Sequence, residues 1–96
     1  MTIVRNVVAV LALLLLTHWS YSAGELDIEA YRGKVVVVDF WASWCVPCRR
    51  SFPWMNAMTG KYGDQGLVFI GVNVDQERSE AESFLAEFPP DFTILY

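Results

Sequence analysis

The chain has 96 residues, 54% of them hydrophobic, with 11 acidic against seven basic side chains and a formal net charge of −4. That length holds one small domain at most. The acidic balance argues against nucleic acid and anionic membrane surfaces as partners, because both require clustered Lys and Arg.

Residues 1–22 read as a secretory signal. Arg5 supplies a short positive region, residues 7–16 are unbroken apolar sequence, and residues 17–23 form a more polar exit. The apolar run is well short of the roughly 20 residues needed to span a bilayer as a helix. Cleavage after Ser22 puts Ser20 and Ser22 at the two small-residue positions. An uncleaved anchor over 7–16 is the alternative, and contact with membrane is expected through this segment alone. Either way residues 23–96 form an exported domain, periplasmic or in an equivalent compartment. Removing 1–22 leaves six basic residues against 11 acidic ones, a formal charge of −5, and removes His18, the single histidine. The mature chain therefore lacks the imidazole for Cys-His or Ser-His catalysis.

Residues 25–31 are a mixed stretch suited to a short helical turn, closed by Gly33. The run Val35-Val36-Val37-Val38-Asp39-Phe40 predicts a strand over 34–41. Its apolar residues point to both faces, which suits a parallel sheet with helices above and below. Residues 45–62 follow a helical pattern with Phe52, Met55, Met58 or Thr59, and Tyr62 on one side, and Pro53 predicts a kink near 49–52. Gly60, Gly63 and Gly66 mark the exit. A second buried strand is expected over 66–74 and a helix over about 77–88, capped by Asp75 and ended by Pro89-Pro90. Residues 92–96 read as a third strand. The β-α-β-α-β order predicts an α/β fold with a parallel sheet and right-handed crossovers. Three strands and two helices make a thin core, so the domain is expected to continue past Tyr96.

Cys45 and Cys48 lie between the first strand and the first long helix, in Trp44-Cys45-Val46-Pro47-Cys48. A cysteine on the first turn of a helix faces backbone N–H groups and the positive end of the macrodipole, which favours the thiolate. Arg49 occupies the place that c-type haem attachment reserves for histidine. A zinc or iron–sulfur site needs four protein ligands, which two cysteines supply only by bridging two chains. No metal or other cofactor is expected. A structural disulfide remains open, although a bridge closing so short a loop is a poor staple. A Cu(I) thiol pair helped by Met55 or Met58 also remains, although both methionines fit a helix core.

The favoured reading is a redox dithiol. Cys45 is then the exposed nucleophile, Cys48 the resolving cysteine one turn further in, and Pro47 with Val46 a local influence on redox poise. Asp39 is the unexpected residue of its strand. Desolvation there raises its pKa, and without histidine it is the natural proton acceptor or donor for Cys48. Arg49 and Arg50 favour thiolate or form a solvated helix face. Trp41 and Trp44 bracket the site, one as core and one as substrate-facing rim.

The segment Val38-Asp39-Phe40-Trp41-Ala42-Ser43-Trp44-Cys45-Val46-Pro47-Cys48-Arg49 resembles the active-site region of the thioredoxin superfamily. Gly33-Lys34, Phe52-Pro53 and Gly71-Val72-Asn73-Val74-Asp75 resemble its TlpA/ResA-like branch of exported thiol–disulfide oxidoreductases, across about residues 25–96. The resemblance implies a thioredoxin-like α/β fold with a mostly parallel central sheet and flanking helices. It also implies a redox-active Cys45–Cys48 disulfide, catalytic Cys45, Cys48 and Asp39, and substrate contacts at Trp44, Val46 and Pro47. Protein thiols and disulfides are the implied substrates, with a membrane partner as electron donor.

Three departures stand out. Many relatives in the branch have asparagine at the Asp39 position. The lysine that pairs with the buried acid in thioredoxin falls at Gly71. Ser51 stands where the branch often has glutamate, which weakens the link to apocytochrome reduction within cytochrome c biogenesis. The superfamily's cis-proline loop, C-terminal hairpin and final helix are not matched. The chain is therefore expected to be a truncated form, weakly stable and poorly active alone, with an inactive remnant as a further alternative.

Overall fold

The computed structural model describes residues 3–7 and 25–96. The signal expected over 1–22, its cleavage after Ser22 and the anchor alternative lie outside the described residues, apart from a short helical stretch at 3–7. Among the described residues no helix is long and apolar enough to cross a membrane.

From residue 25 onward the chain runs through a 3₁₀ turn (Ile28–Tyr31), strand β1 (Val35–Trp41) and helix α1 (Cys48–Tyr62). A second 3₁₀ turn (Gly63–Gln65), strand β2 (Leu67–Asn73), helix α2 (Arg78–Glu87) and strand β3 (Thr93–Leu95) follow. The valines of β1 are stiff at χ1 and suit a pleated surface better than a helix. Gly66, at φ +96°, takes the left-handed conformation that lets the second 3₁₀ turn pass directly into β2. The three strands form one parallel sheet in the order β1-β2-β3. Val35 lies opposite Leu67, Asp39 opposite Gly71 and Trp41 opposite Asn73, while Gly71 also faces Ile94.

Three expectations need correction. Helix α1 begins at Cys48, not Cys45, with Pro47 as its N-cap residue. The Cys48 and Arg49 N–H groups bond the carbonyls of Cys45 and Val46, so residues 45–47 form tight 3₁₀-type turns ahead of the helix. Helix α2 is preceded by Glu77, whose side chain makes no capping bond; Asp75 is not the cap. Its carboxylate is committed to Ser43, 32 residues away.

The third correction concerns the helices, which lie on one side of the sheet. Buried residues of α1 (Cys48, Phe52, Met55) and α2 (Ala81, Phe84) join a single cluster with Trp41 and Phe69, which share one face. Sheet order is the reason. Two crossovers of one hand that step in the same direction leave both helices on the same side. On the opposite face Ile70 is fully buried, Val36, Val38, Val68 and Val72 are half-buried, and Phe40 is exposed.

Phe52 is the centre of the core. Its ring lies 5.1 Å from each of Trp41, Phe84 and Phe92, in edge-on arrangements with Phe84 and Phe92 that suit aromatic quadrupoles. Helix α1 continues unbroken through Pro53. Gly71 fills the gap beneath this cluster. A Cβ there would lie 3.0 Å from Ile94 Cδ1, 3.1 Å from Trp41 Nε1 and 3.2 Å from Phe92 Cε2. Two of those neighbours are rings packed into the core, so Gly71→Ala is expected to destabilise the fold by about 1–3 kcal/mol through overpacking. Urea unfolding followed by circular dichroism measures this, with an unchanged m-value marking a pure stability effect.

Candidate active site

Cys45 and Cys48 are joined in a disulfide, with Cα atoms 5.4 Å apart. The expected partners are thus brought together, with different access. Cys45 is half-buried in the turn before α1, whereas Cys48, the first helical residue, is 5% exposed within the core cluster. The N–H groups of residues 48–51 are already bonded to carbonyls of residues 45–47, in the pattern Cys48 to Cys45, Arg49 to Val46, and Arg50 and Ser51 to Pro47. Donation of these groups to the Cys45 sulfur, expected from a helix starting at Cys45, is therefore replaced by the more distant pull of the α1 dipole.

The two tryptophans separate cleanly. Trp41 is core, and Trp44 is 71% exposed beside Cys45. Val46 is 68% exposed and Pro47 is also on the surface, so the three expected contact residues form an open rim around the disulfide. That rim continues over Arg50, Ser51 and the exposed Trp54, which line a shallow apolar depression with Val46 and Pro47. Trp54 carries no sequence signal distinct from the core aromatics of its helix. Arg49 and Arg50 are both exposed. Ser51 donates its hydroxyl to the Cys48 carbonyl at 3.1 Å. Met55 is buried core and Met58 packs against it. Met55 lies seven residues beyond Cys48, about 10 Å along the helix axis, too far for a shared Cu(I) site.

Asp39 projects from β1 on the face that carries Trp41 and receives the helices. It is half-buried, and its Oδ2 is enclosed without a hydrogen-bond partner. Desolvation holds its pKa above the ordinary aspartate value of 3.8. The residue opposite it is Gly71, where the core closes over any added side chain. The missing lysine is thus a packing requirement as well as a sequence departure.

A second carboxylate was not expected at the site. Asp75 accepts the Ser43 N–H at 2.9 Å on Oδ2, the Ser43 hydroxyl at 2.6 Å on Oδ1, and the Asn73 amide at 2.7 Å on Oδ2. Its own N–H donates to Asn73 Oδ1 at 3.1 Å, and the adjacent Val74 N–H donates to the Trp41 carbonyl at 2.9 Å. Burial opposes ionisation of Asp75, but the bonds from Ser43 and Asn73 outweigh it and lower the pKa. The available sequence signal was the polar Asn73-Val74-Asp75 at the carboxyl end of a buried parallel strand, where α/β folds place their sites.

A parallel sheet with a cysteine pair set between a strand and the helix that follows it defines a thioredoxin-like α/β protein. The chain belongs to the Redoxin family, whose model matches residues 20–96. It is 40% identical over 71 residues to the thiol-disulfide oxidoreductase ResA of Geobacillus kaustophilus (strain HTA426), a match covering 74% of this chain and 41% of that relative. Identity to ResA of Bacillus subtilis (strain 168) is 27% over 71 residues, covering 74% and 40%. Among solved structures, a Chlorobium tepidum protein described as thiol:disulfide interchange protein DsbE superposes with a TM-score of 0.70 at 45% identity. That match covers 76% of this chain and 54% of the other. The chain thus spans less than half the length of these curated relatives.

The two carboxylates give opposite pH signatures. A raised folded pKa at Asp39 means that the folded state holds its proton longer, so this contribution to stability falls as pH rises from 3.8 through the folded value. The lowered pKa of Asp75 contributes stability that is present above 3.8 and lost as pH falls through its folded value. Asp39→Asn is expected to raise the melting temperature at neutral pH and flatten the decline above pH 3.8, leaving the acid limb intact. Thermal unfolding of the oxidised protein across that range checks both limbs.

Proposed function

We propose that residues 23–96 carry the dithiol centre of an exported thiol–disulfide oxidoreductase acting on protein disulfides, with residues 1–22 directing export. What supports this reading is the Cys45–Cys48 disulfide, half-buried at Cys45 and buried at Cys48, in a chain of the Redoxin family. The compartment is periplasmic or its equivalent, and a membrane dithiol donor returns the pair to its reduced form.

In the reducing direction the Cys45 thiolate attacks one sulfur of a substrate disulfide, forming a mixed disulfide and releasing the first substrate thiolate. Cys48 loses its proton to the Asp39 carboxylate and attacks the Cys45 sulfur. The second substrate thiolate leaves, and two electrons have passed from the pair to the substrate. Burial suits Asp39 to this task, because a carboxylate with a raised pKa takes up and returns a proton nearer neutral pH. Trp44, Val46 and Pro47 offer the substrate chain an apolar rim beside the attacked sulfur.

The test uses the reduced chain with oxidised glutathione. Cys48→Ser is expected to accumulate a glutathione adduct on Cys45, while Cys45→Ser forms at least about tenfold less adduct, as expected when a buried thiol is inert beside an accessible one. Mass spectrometry of acid-quenched samples reads both. Equal labelling of the two positions, or no adduct in either variant, would remove the assignment of roles.

A further inference from the structure

Cys45 sits at the end of a loop whose apolar anchorage is buried Ala42 at its start and Cys45 itself, which packs on the core cluster. After Trp41 the chain leaves the sheet, and Trp44, next to Cys45, is largely in solvent. In the oxidised protein the disulfide itself holds Cys45 against the core. Once that bond is reduced, the burial of Ala42 remains, and hydrogen bonds hold the residues that follow it. The Cys45 N–H reaches the Ala42 carbonyl at 3.1 Å and the Cys48 N–H reaches the Cys45 carbonyl at 3.2 Å, both local to the loop.

The side-chain hydrogen-bond tie from this loop to the rest of the fold is Asp75. Its two oxygens receive the N–H and the hydroxyl of the same residue, Ser43, at 2.9 and 2.6 Å. Two bonds to one residue fix rotation as well as position, as a single bond does not. Asn73, nearly buried at the end of β2, braces the carboxylate from behind at 2.7 Å. The anchor point is two residues before the Cys45 sulfur.

We propose that Asp75 is a positioning residue for the dithiol: through Ser43 it keeps the reduced loop in the closed geometry of the disulfide, and so makes the pair a stronger reductant. The proposal rests on the thiol–disulfide reading above. In exchange with glutathione, the protein dithiol and one oxidised glutathione give the protein disulfide and two reduced glutathiones. One sulfur–sulfur bond forms in the protein, one breaks in glutathione, and the two protons leave with the released thiols. The equilibrium constant contains the effective concentration of one protein thiol at the other. A loop already held closed loses less conformational freedom when the bond forms. By linkage, a clamp that favours the closed pair is itself favoured by closure to the same degree. A clamp that served the fold alone would stabilise both redox forms equally and leave the constant unmoved.

The experiment titrates the full 96-residue chain, Asp75→Ala, Asp75→Asn and Ser43→Ala in glutathione buffers of graded ratio, with thiol trapping to read the oxidised fraction. Asp75→Ala is expected to lower the constant for disulfide formation about tenfold, a rise of about 30 mV in reduction potential for a two-electron couple. Ser43→Ala removes one of the two Ser43 bonds and is expected to lower it about threefold, half the tenfold effect on a logarithmic scale. Asp75→Asn keeps one oxygen acceptor and falls between wild type and Asp75→Ala. If Asp75→Ala does not fold, Ser43→Ala decides. Folded variants whose constants stay within twofold of wild type, or shift the other way, overturn the proposal and leave the oxidoreductase reading standing. A wild-type pair that reaches no equilibrium with glutathione overturns both.

Discussion

The Phe52 ring meets one aromatic side chain from each neighbouring segment: Trp41 at the end of β1, Phe84 of α2, and Phe92 just before β3. Helix α1 is therefore held to the sheet one turn after Cys48, and the position of the second cysteine is a consequence of core packing. The burial that orders the core also withdraws Cys48 from solvent, leaving Cys45 as the more exposed cysteine. The unequal exposure of the two cysteines thus follows from where one phenyl ring sits.

Two aspartates serve this arrangement in contrasting ways. Asp39 is enclosed without a partner at Oδ2 and resists ionisation; Asp75 is surrounded by donors and remains ionised. The first is suited to exchanging a proton, the second to holding backbone in place. Both lie at the carboxyl ends of adjacent parallel strands or just beyond, where side chains from separate segments converge without further elements.

The legible parts of the sequence were those governed by local pattern. Four consecutive valines identify β1, and Ala81, Phe84, Leu85 and Phe88 carry the helical repeat of α2. The cysteine pair was legible because Cys45 and Cys48 are the only cysteines and lie at a strand–helix junction. Misreadings arose where a nonlocal partner or a competing hydrogen-bond pattern decided the outcome. Asp75 looks locally like a helix cap, but its partner Ser43 is 32 residues away. Helix α1 starts three residues later than its sequence pattern suggests, because Val46-Pro47 is compatible with a helix and the 3₁₀ bonds to the Cys45 and Val46 carbonyls are invisible in composition. The apolar run of β1 indicates burial on two faces without saying which element covers either.

Gly71 limits how the site can vary. The charge state of a buried acid is ordinarily adjustable from the neighbouring strand, where a lysine or arginine supplies compensating charge. Here that place is filled by Ile94, Trp41 and Phe92 from three directions. Variation in proton affinity must then come from Asp39 itself or from how much water reaches it, and a basic residue opposite would first require the aromatic core to be rebuilt. The packing that stabilises the fold thus narrows the evolutionary routes by which the proton affinity of Asp39 can be retuned.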